Sequence, residues 1–131
     1  MLKLTKQIEY ALIAVKYMGK KKDSIISAKE ISDQYMIPKE LLAKTLQKMV
    51  KLNYINAIQG PKGGYFLKKK IKTITLTRFI EDLDGPLGLV GCSINDSCHQ
   101  IDICNIKDPI HELNNRFINF FDKVNLSEII K

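Results

Sequence analysis

Apolar residues at Ile8, Ala11, Leu12, Val15 and Met18 recur every three or four positions. That period predicts an amphipathic helix over roughly 5–18, ended by Gly19 and the lysines that follow. Ser27 and Glu30 have the spacing of a capping box, opening a short helix over about 28–35 that offers Ile31 and Tyr35 to a core. Pro38 stands where a helix tolerates proline, in its first turn. From there Leu41, Leu42, Leu46, Met49 and Val50 make one apolar face to about Leu52. Two helices joined by a brief turn at 36–38 predict a helix-turn-helix.

Two short apolar runs, 54–58 and 65–67, flank Gln59-Gly60-Pro61-Lys62-Gly63-Gly64 and predict a β-hairpin. The glycines lack the order of a phosphate-binding loop and open no helix. Directly after a helix-turn-helix the hairpin reads as a wing, with Lys62 at its tip and glycine letting the backbone approach a groove or phosphate. Thr75 is placed to cap a helix over 76–83, which Asp84-Gly85-Pro86 ends. Farther on, Ile103, Ile106, Ile110, Leu113, Phe117, Phe120 and Val124 follow alternating steps of three and four, a heptad-type seam. With the other helices committed to a winged-helix core, the seam is expected to pair with a second copy rather than within the chain. Asn125 and Glu128 mark the cap of a last short helix.

The expected fold class is mainly α with a small β-hairpin: a winged helix-turn-helix plus a long C-terminal dimerisation helix. Its expected divisions are 1–84 for DNA binding, 85–104 for a cysteine loop and 105–131 for dimerisation. A length of 131 residues fits one domain. No secretory signal or membrane-length apolar run occurs in the sequence, so a soluble, cytoplasmic protein is expected. Charge sharpens the picture. Residues 1–72 carry sixteen lysines against five acids, whereas 73–131 carry five basic residues against nine acids. A basic first half suits a polyanion such as nucleic acid, although solvated lysine loops would give a similar count.

All three cysteines, Cys92, Cys98 and Cys104, fall in one polar stretch with five residues between neighbours. An odd number of thiols argues against a disulfide framework. Thiolates select zinc, Cu(I) or iron–sulfur clusters. Zinc sites usually take thiols two to four residues apart, so the wider gaps favour a cluster. Isolated cysteines buried as small hydrophobes are the alternative, and the polar neighbours make it the weaker one.

These features together resemble the IscR/NsrR-type family of small winged-helix iron–sulfur transcription regulators. The resemblance rests on Leu4-Thr5-Lys6 with Glu9-Tyr10-Ala11-Leu12, on Gly60-Pro61-Lys62-Gly63-Gly64-Tyr65, and on the cysteine triad, and it spans nearly the whole chain. It implies a cluster on the three cysteines of a homodimer, [2Fe–2S] in preference to [4Fe–4S]. One branch of the family takes its fourth ligand three residues after the last cysteine, where this chain has Lys107. Another takes an acidic residue from the partner's first helix, and Glu9 holds that place. His99 and His111 match neither position.

The expected function is a dimeric DNA-binding regulator, a repressor sensing cluster status, redox or nitric oxide and controlling iron–sulfur assembly genes. Lys39, Glu40 and Lys44 are expected in the major groove of an operator duplex, where lysine donates to guanine and glutamate accepts from cytosine. Gln59 and Lys62 belong to the wing, and Lys6 and Lys48 are expected on phosphate. No nucleophile–base pair or cofactor fingerprint points to an enzyme. A zinc-bound or cluster-free regulator, or an iron–sulfur redox carrier, remains as the alternative.

Overall fold

The first helix, α1 (Lys6–Lys20), is the element at the centre of the packing: Ile8, Ala11, Ala14, Val15 and Met18 are all buried. The computed structural model describes residues 3–21, 23–94 and 98–131. Lys22 of the lysine run, and Asn95, Asp96 and Ser97 of the cysteine stretch, lie outside the described residues. After α1 come α2 (Ala28–Tyr35), α3 (Lys39–Lys51), the antiparallel strands β1 (Ile55–Ile58) and β2 (Gly64–Leu67), α4 (Leu76–Asp84), α5 (Lys107–Asp122) and α6 (Leu126–Ile130). A short 3-10 helix, Lys69–Thr73, connects β2 to α4 and buries Ile71. This is the mainly helical winged helix-turn-helix that the sequence predicts.

Thr5 caps α1 by accepting from the Ile8 N–H at 3.3 Å. Gly19 does not end that helix; it lies within it, and its missing side chain makes room for Ile130 of α6. A Cβ there would sit 2.2 Å from Ile130 Cγ2. Ser27 caps α2 through the Glu30 N–H at 3.0 Å, yet the expected reciprocal bond is replaced. The Glu30 carboxylate turns to α1 instead, accepting from the Tyr17 hydroxyl and standing 3.8 Å from Lys21. A charge-assisted contact between two helices has displaced the local one. Tyr35 is not a core residue either: it is 44% exposed, its ring edge-on to Tyr17 at 5.7 Å.

β1 and β2 pair with Ile55 opposite Leu67 and Ile58 opposite Gly64. A third strand-like rung comes from Ile26, which exchanges hydrogen bonds of 2.8 and 2.7 Å with Tyr65. Behind the hairpin, Tyr54 stacks at 5.6 Å on Phe79 and donates its hydroxyl to Asp82 of α4. Burial, reinforced by that carboxylate, pushes the Tyr54 hydroxyl well above its ordinary pKa of 10.0. A raised folded pKa favours the protonated form, so this contribution to stability is full below about pH 10 and is lost as pH climbs beyond it.

The C-terminal segment returns to the winged-helix core. Leu76 N–H donates to Val124 O at 2.8 Å and Leu126 N–H to Ile74 O at 2.9 Å. Leu126 and Ile130 are buried, and the Asn125–Glu128 capping box is complete. Lys16 Nζ donates to the carbonyls of Ile129 and Lys131, at 3.1 Å each. α5 behaves differently: it packs on α4, and Asn114 is its buried residue. The helix is also shorter than its periodicity implied, with Ile103, Ile106 and Val124 outside it. Among the described residues, no helix is long and apolar enough to cross a membrane.

Gly19→Ala tests the seating of α6. Helix propensity alone would stabilise by about 1 kcal/mol, but overpacking against Ile130 costs about 1–3 kcal/mol. The expected net result is a lower denaturant midpoint. In an Ile130→Ala background, where Cγ2 is gone, the same substitution should be neutral or stabilising.

Candidate DNA interface and cysteine segment

The turn between α2 and α3 is fixed by its own hydrogen bonds. Met36 takes the left-handed conformation at φ 55°, its N–H bonded to the Ser32 carbonyl. Ser32 Oγ donates to Ile37 O at 2.6 Å and the Ile37 N–H donates to Ser32 O at 3.1 Å. Pro38 then caps α3, which buries Leu42, Leu46 and Met49 and leaves Lys39, Glu40 and Lys44 exposed. Leu41 is 37% exposed rather than core. Beside the start of α3, Met36 is 91% exposed. Met36, in the sequence only part of a turn, thus adds an apolar side chain to this surface. Such a side chain can contact a thymine methyl in the major groove.

The wing tip depends on Gly63. Its N–H donates to Gly60 O at 2.9 Å, and a Cβ at Gly63 would lie 2.0 Å from the Ile58 carbonyl oxygen. Any larger residue would spread the hairpin. Gln59 and Lys62 stand exposed at this tip.

Lys6 and Lys48 are engaged within the chain. Lys6 pairs with Glu9 at 3.0 Å, and the neighbouring carboxylate holds its ammonium above the usual lysine range. Lys48 Nζ donates to the Leu83 carbonyl at the end of α4. Gln7 Nε2 donates to that same oxygen at 3.2 Å. One carbonyl thus ties the start of α1, the last turn of α3 and the last turn of α4 together. The chain turns into the cysteine segment directly after it, through Gly85 at φ 92°.

That segment lies against α5. Leu89 N–H donates to Asn114 Oδ1 at 2.8 Å, and Gly88 sits under Ile94. Cys92 is in a 3-10 turn, Gly91–Ser93; Cys98 and Cys104 are in irregular backbone. All three are free thiols and half-buried. Among the described residues, no three of His, Cys, Asp and Glu converge tightly enough to hold a metal ion within one chain. Ser93 Oγ and His111 Nε2 are buried without a hydrogen-bond partner. Glu9 is partly exposed on α1, and Lys107 opens α5. His99 is exposed.

A family model described as Rrf2, iron-dependent transcriptional regulator, matches residues 4–131. The chain belongs to the Rrf2 family. It is 28% identical over 132 residues to the HTH-type transcriptional regulator NsrR of Bacillus licheniformis, covering 98% of this chain and 92% of that one. Its fold is similar to that of CymR, the global cysteine regulator of B. subtilis (TM-score 0.77, 20% identity, 99% and 97% of the two chains). It is also similar to that of T. potens IscR (TM-score 0.73, 17% identity, 98% and 86%). Rrf2 proteins are DNA-binding transcription regulators and not enzymes, which agrees with a basic helix-turn-helix and wing.

The internal bond of Lys48 separates it from the other lysines. Titrating a random-sequence duplex over a range of salt should give Lys39→Ala and Lys62→Ala a slope of log affinity against log salt smaller by about 1 each. Lys48→Met, which keeps the alkyl stem, should leave the slope unchanged. A fall of about 1 for that variant would return Lys48 to the phosphate contacts.

Proposed function

We propose that this Rrf2 protein is a dimeric repressor whose DNA affinity is set by an iron–sulfur cluster on Cys92, Cys98 and Cys104, with Glu9 of the partner subunit as fourth ligand. The observation that carries the reading is the state of the thiols: three of them, free and half-buried, on one short segment leading from α4 to α5. The chemistry of this donor set fits a cluster, because deprotonated thiols are soft ligands. The description of the family as iron-dependent supports it. That one chain gathers no three donors among its described residues is the observation favouring the second reading, a zinc-bound or cluster-free regulator.

When bound, such a cluster supplies an iron open to oxidants or small ligands such as nitric oxide, because a carboxylate is a harder and more easily exchanged donor than thiolate. The chain's own residues do the rest. The thiols bind as thiolates, and Glu9 must leave Lys6 to serve a partner. The homodimer is supported by α5 and its approach, where Ile106, Leu113 and Phe120 stand at seven-residue intervals with more than half of each exposed. Apolar side chains so spaced lie along one stripe of a helix and suit a second copy. On DNA, Lys39, Glu40 and Lys44 read the major groove of an operator, and Gln59 and Lys62 approach the minor groove. Glu40 then discriminates by accepting from cytosine, and the lysines by donating to guanine. Residues 1–84 read DNA, 85–104 hold the cluster and 105–131 carry the dimer contacts. The output is control of iron–sulfur assembly genes, with [2Fe–2S] as the favoured cluster.

Protein purified without oxygen should contain iron and sulfide in equal amounts, with visible sulfur-to-iron charge-transfer bands. Cys98→Ser should remove both while leaving the melting temperature of the apo fold unchanged. Zinc without sulfide, or no metal, would replace the sensor with the second reading. Leu113→Glu with Phe120→Glu should convert a dimer to a monomer in sedimentation. DNA affinity should fall at least tenfold, the equivalent of about 1.4 kcal/mol.

A further inference from the structure

Between the wing and the body of the molecule lies a cavity of about 520 Å³, well away in sequence from the cysteines. Its floor is apolar, made by Met18 of α1, Ile25 ahead of α2, and Ile58 and Phe66 of the hairpin. Ile58 is 43% exposed there, a large side chain left without a full cover. The rim is cationic, with Lys21, Lys68, Lys69 and Lys72 and one opposing carboxylate, Asp23. Lys21 is shared with Glu30 and Tyr17, and Lys68 donates to Asn53 Oδ1 at 3.2 Å. Among the described residues, the ammonium groups of Lys69 and Lys72 make no recorded hydrogen bond or ion pair.

We propose that this cavity binds a small organic anion, an apolar body bearing a carboxylate or phosphate, and that its occupancy adjusts the wing. Three features lead there. The volume is that of a small-molecule site, typically 300–1,000 Å³. The excess of lysine over the single aspartate selects negative charge. The apolar floor favours a ligand that has a body to bury, beyond what a bare ion offers. The walls come from four separate elements, and the hairpin that supplies Ile58 also presents Gln59 and Lys62. A ligand bridging Met18 and Ile25 to Ile58 and Phe66 would therefore favour one wing position over others and change DNA affinity by its differential binding. The site is independent of the cluster reading, because neither the cysteines nor α5 contribute to it.

The test uses the full chain with phenyl phosphate, benzoate and inorganic phosphate, read by calorimetry without DNA and by anisotropy on a duplex. Phenyl phosphate is expected to bind with a Kd on the order of 1 mM or tighter, and inorganic phosphate about tenfold more weakly. Lys69→Gln with Lys72→Gln should abolish binding at an unchanged melting temperature. Ile58→Ser should weaken phenyl phosphate and leave inorganic phosphate unaffected. Phenyl phosphate should shift duplex affinity for the unsubstituted protein and not for the double variant. Equal binding of the two phosphates, or no binding of any of the three at millimolar concentration, overturns the proposal. So does a double variant that still binds phenyl phosphate. If the double variant instead lowers the salt slope on DNA by about 2 with no ligand binding, the lysines belong to the DNA surface and the cavity is not a site.

Discussion

The burial of α1 is the constraint on which the rest of this fold depends. It packs against α3, α4, α6 and β2, and its inward positions are small or flexible where neighbours come close: Ala11, Ala14, Met18 and Gly19. Small residues let the neighbouring backbones approach. At Gly19 the approach is so close that Ile130 occupies the space of a side chain. A helix interior would ordinarily favour alanine over glycine by about 1 kcal/mol, so the sequence has given up local propensity to seat the last helix. Thus the end of the chain secures its beginning, and the DNA-reading elements are clamped from behind by both.

The charge distribution sits on this frame in a way the net value of +7 conceals. Seven lysines of the first half show three kinds of surroundings. Lys16 and Lys48 donate to main-chain carbonyls and act as internal ties. Lys6 and Lys21 are held by carboxylates. Lys39, Lys44 and Lys62 stand exposed on α3 and the hairpin tip, the surface proposed to meet DNA. The Lys16 bonds are exposed and screened, like a surface pair at about 0–1 kcal/mol, whereas the Lys48 bond is partly buried and less screened. The Lys48 tie therefore holds geometry, whereas the exposed lysines supply salt-dependent attraction.

Much of this was legible in the sequence because local rules and tertiary packing agree. The Ser27 and Thr75 caps, the hairpin around Gly60–Gly64 and the final Asn125–Glu128 box are short-range devices, and short-range chemistry is written in adjacent residues. What could not be read depended on partners distant in sequence. Gly19 looked like a stop signal because Ile130 is out of sight of any local window. Glu30 had the spacing of a capping box, but Tyr17 on another helix competes for it. Tyr35 matched the apolar period and still lies at the surface, since a period gives a face and not its depth. On the candidate site, sequence named the cysteines and the exposed lysines but missed the internal role of Lys48. Periodicity marks which face a lysine is on, not whether a carbonyl waits at its end. It missed Ile26 as a rung of the sheet for the same reason.

The Leu83 carbonyl shows how little energy a regulator of this size needs to redistribute. Gln7 and Lys48 both converge on it. Gln7 is two residues from Glu9, and Lys48 belongs to α3, the helix proposed to face DNA. The chain leaves for the cysteine segment two residues beyond Leu83, at Gly85. Losing such a bond alters stability by about 0.5–1.5 kcal/mol for a neutral donor such as Gln7 and by up to about 3 kcal/mol for a charged one. Allosteric couplings are usually 1–3 kcal/mol, a factor of about 5–150 in affinity. The two ranges overlap. On the sensor reading proposed above, a displacement at the end of α4 that breaks one of these bonds is of the magnitude such a coupling requires, and it leaves the apolar contacts of the α1 core in place.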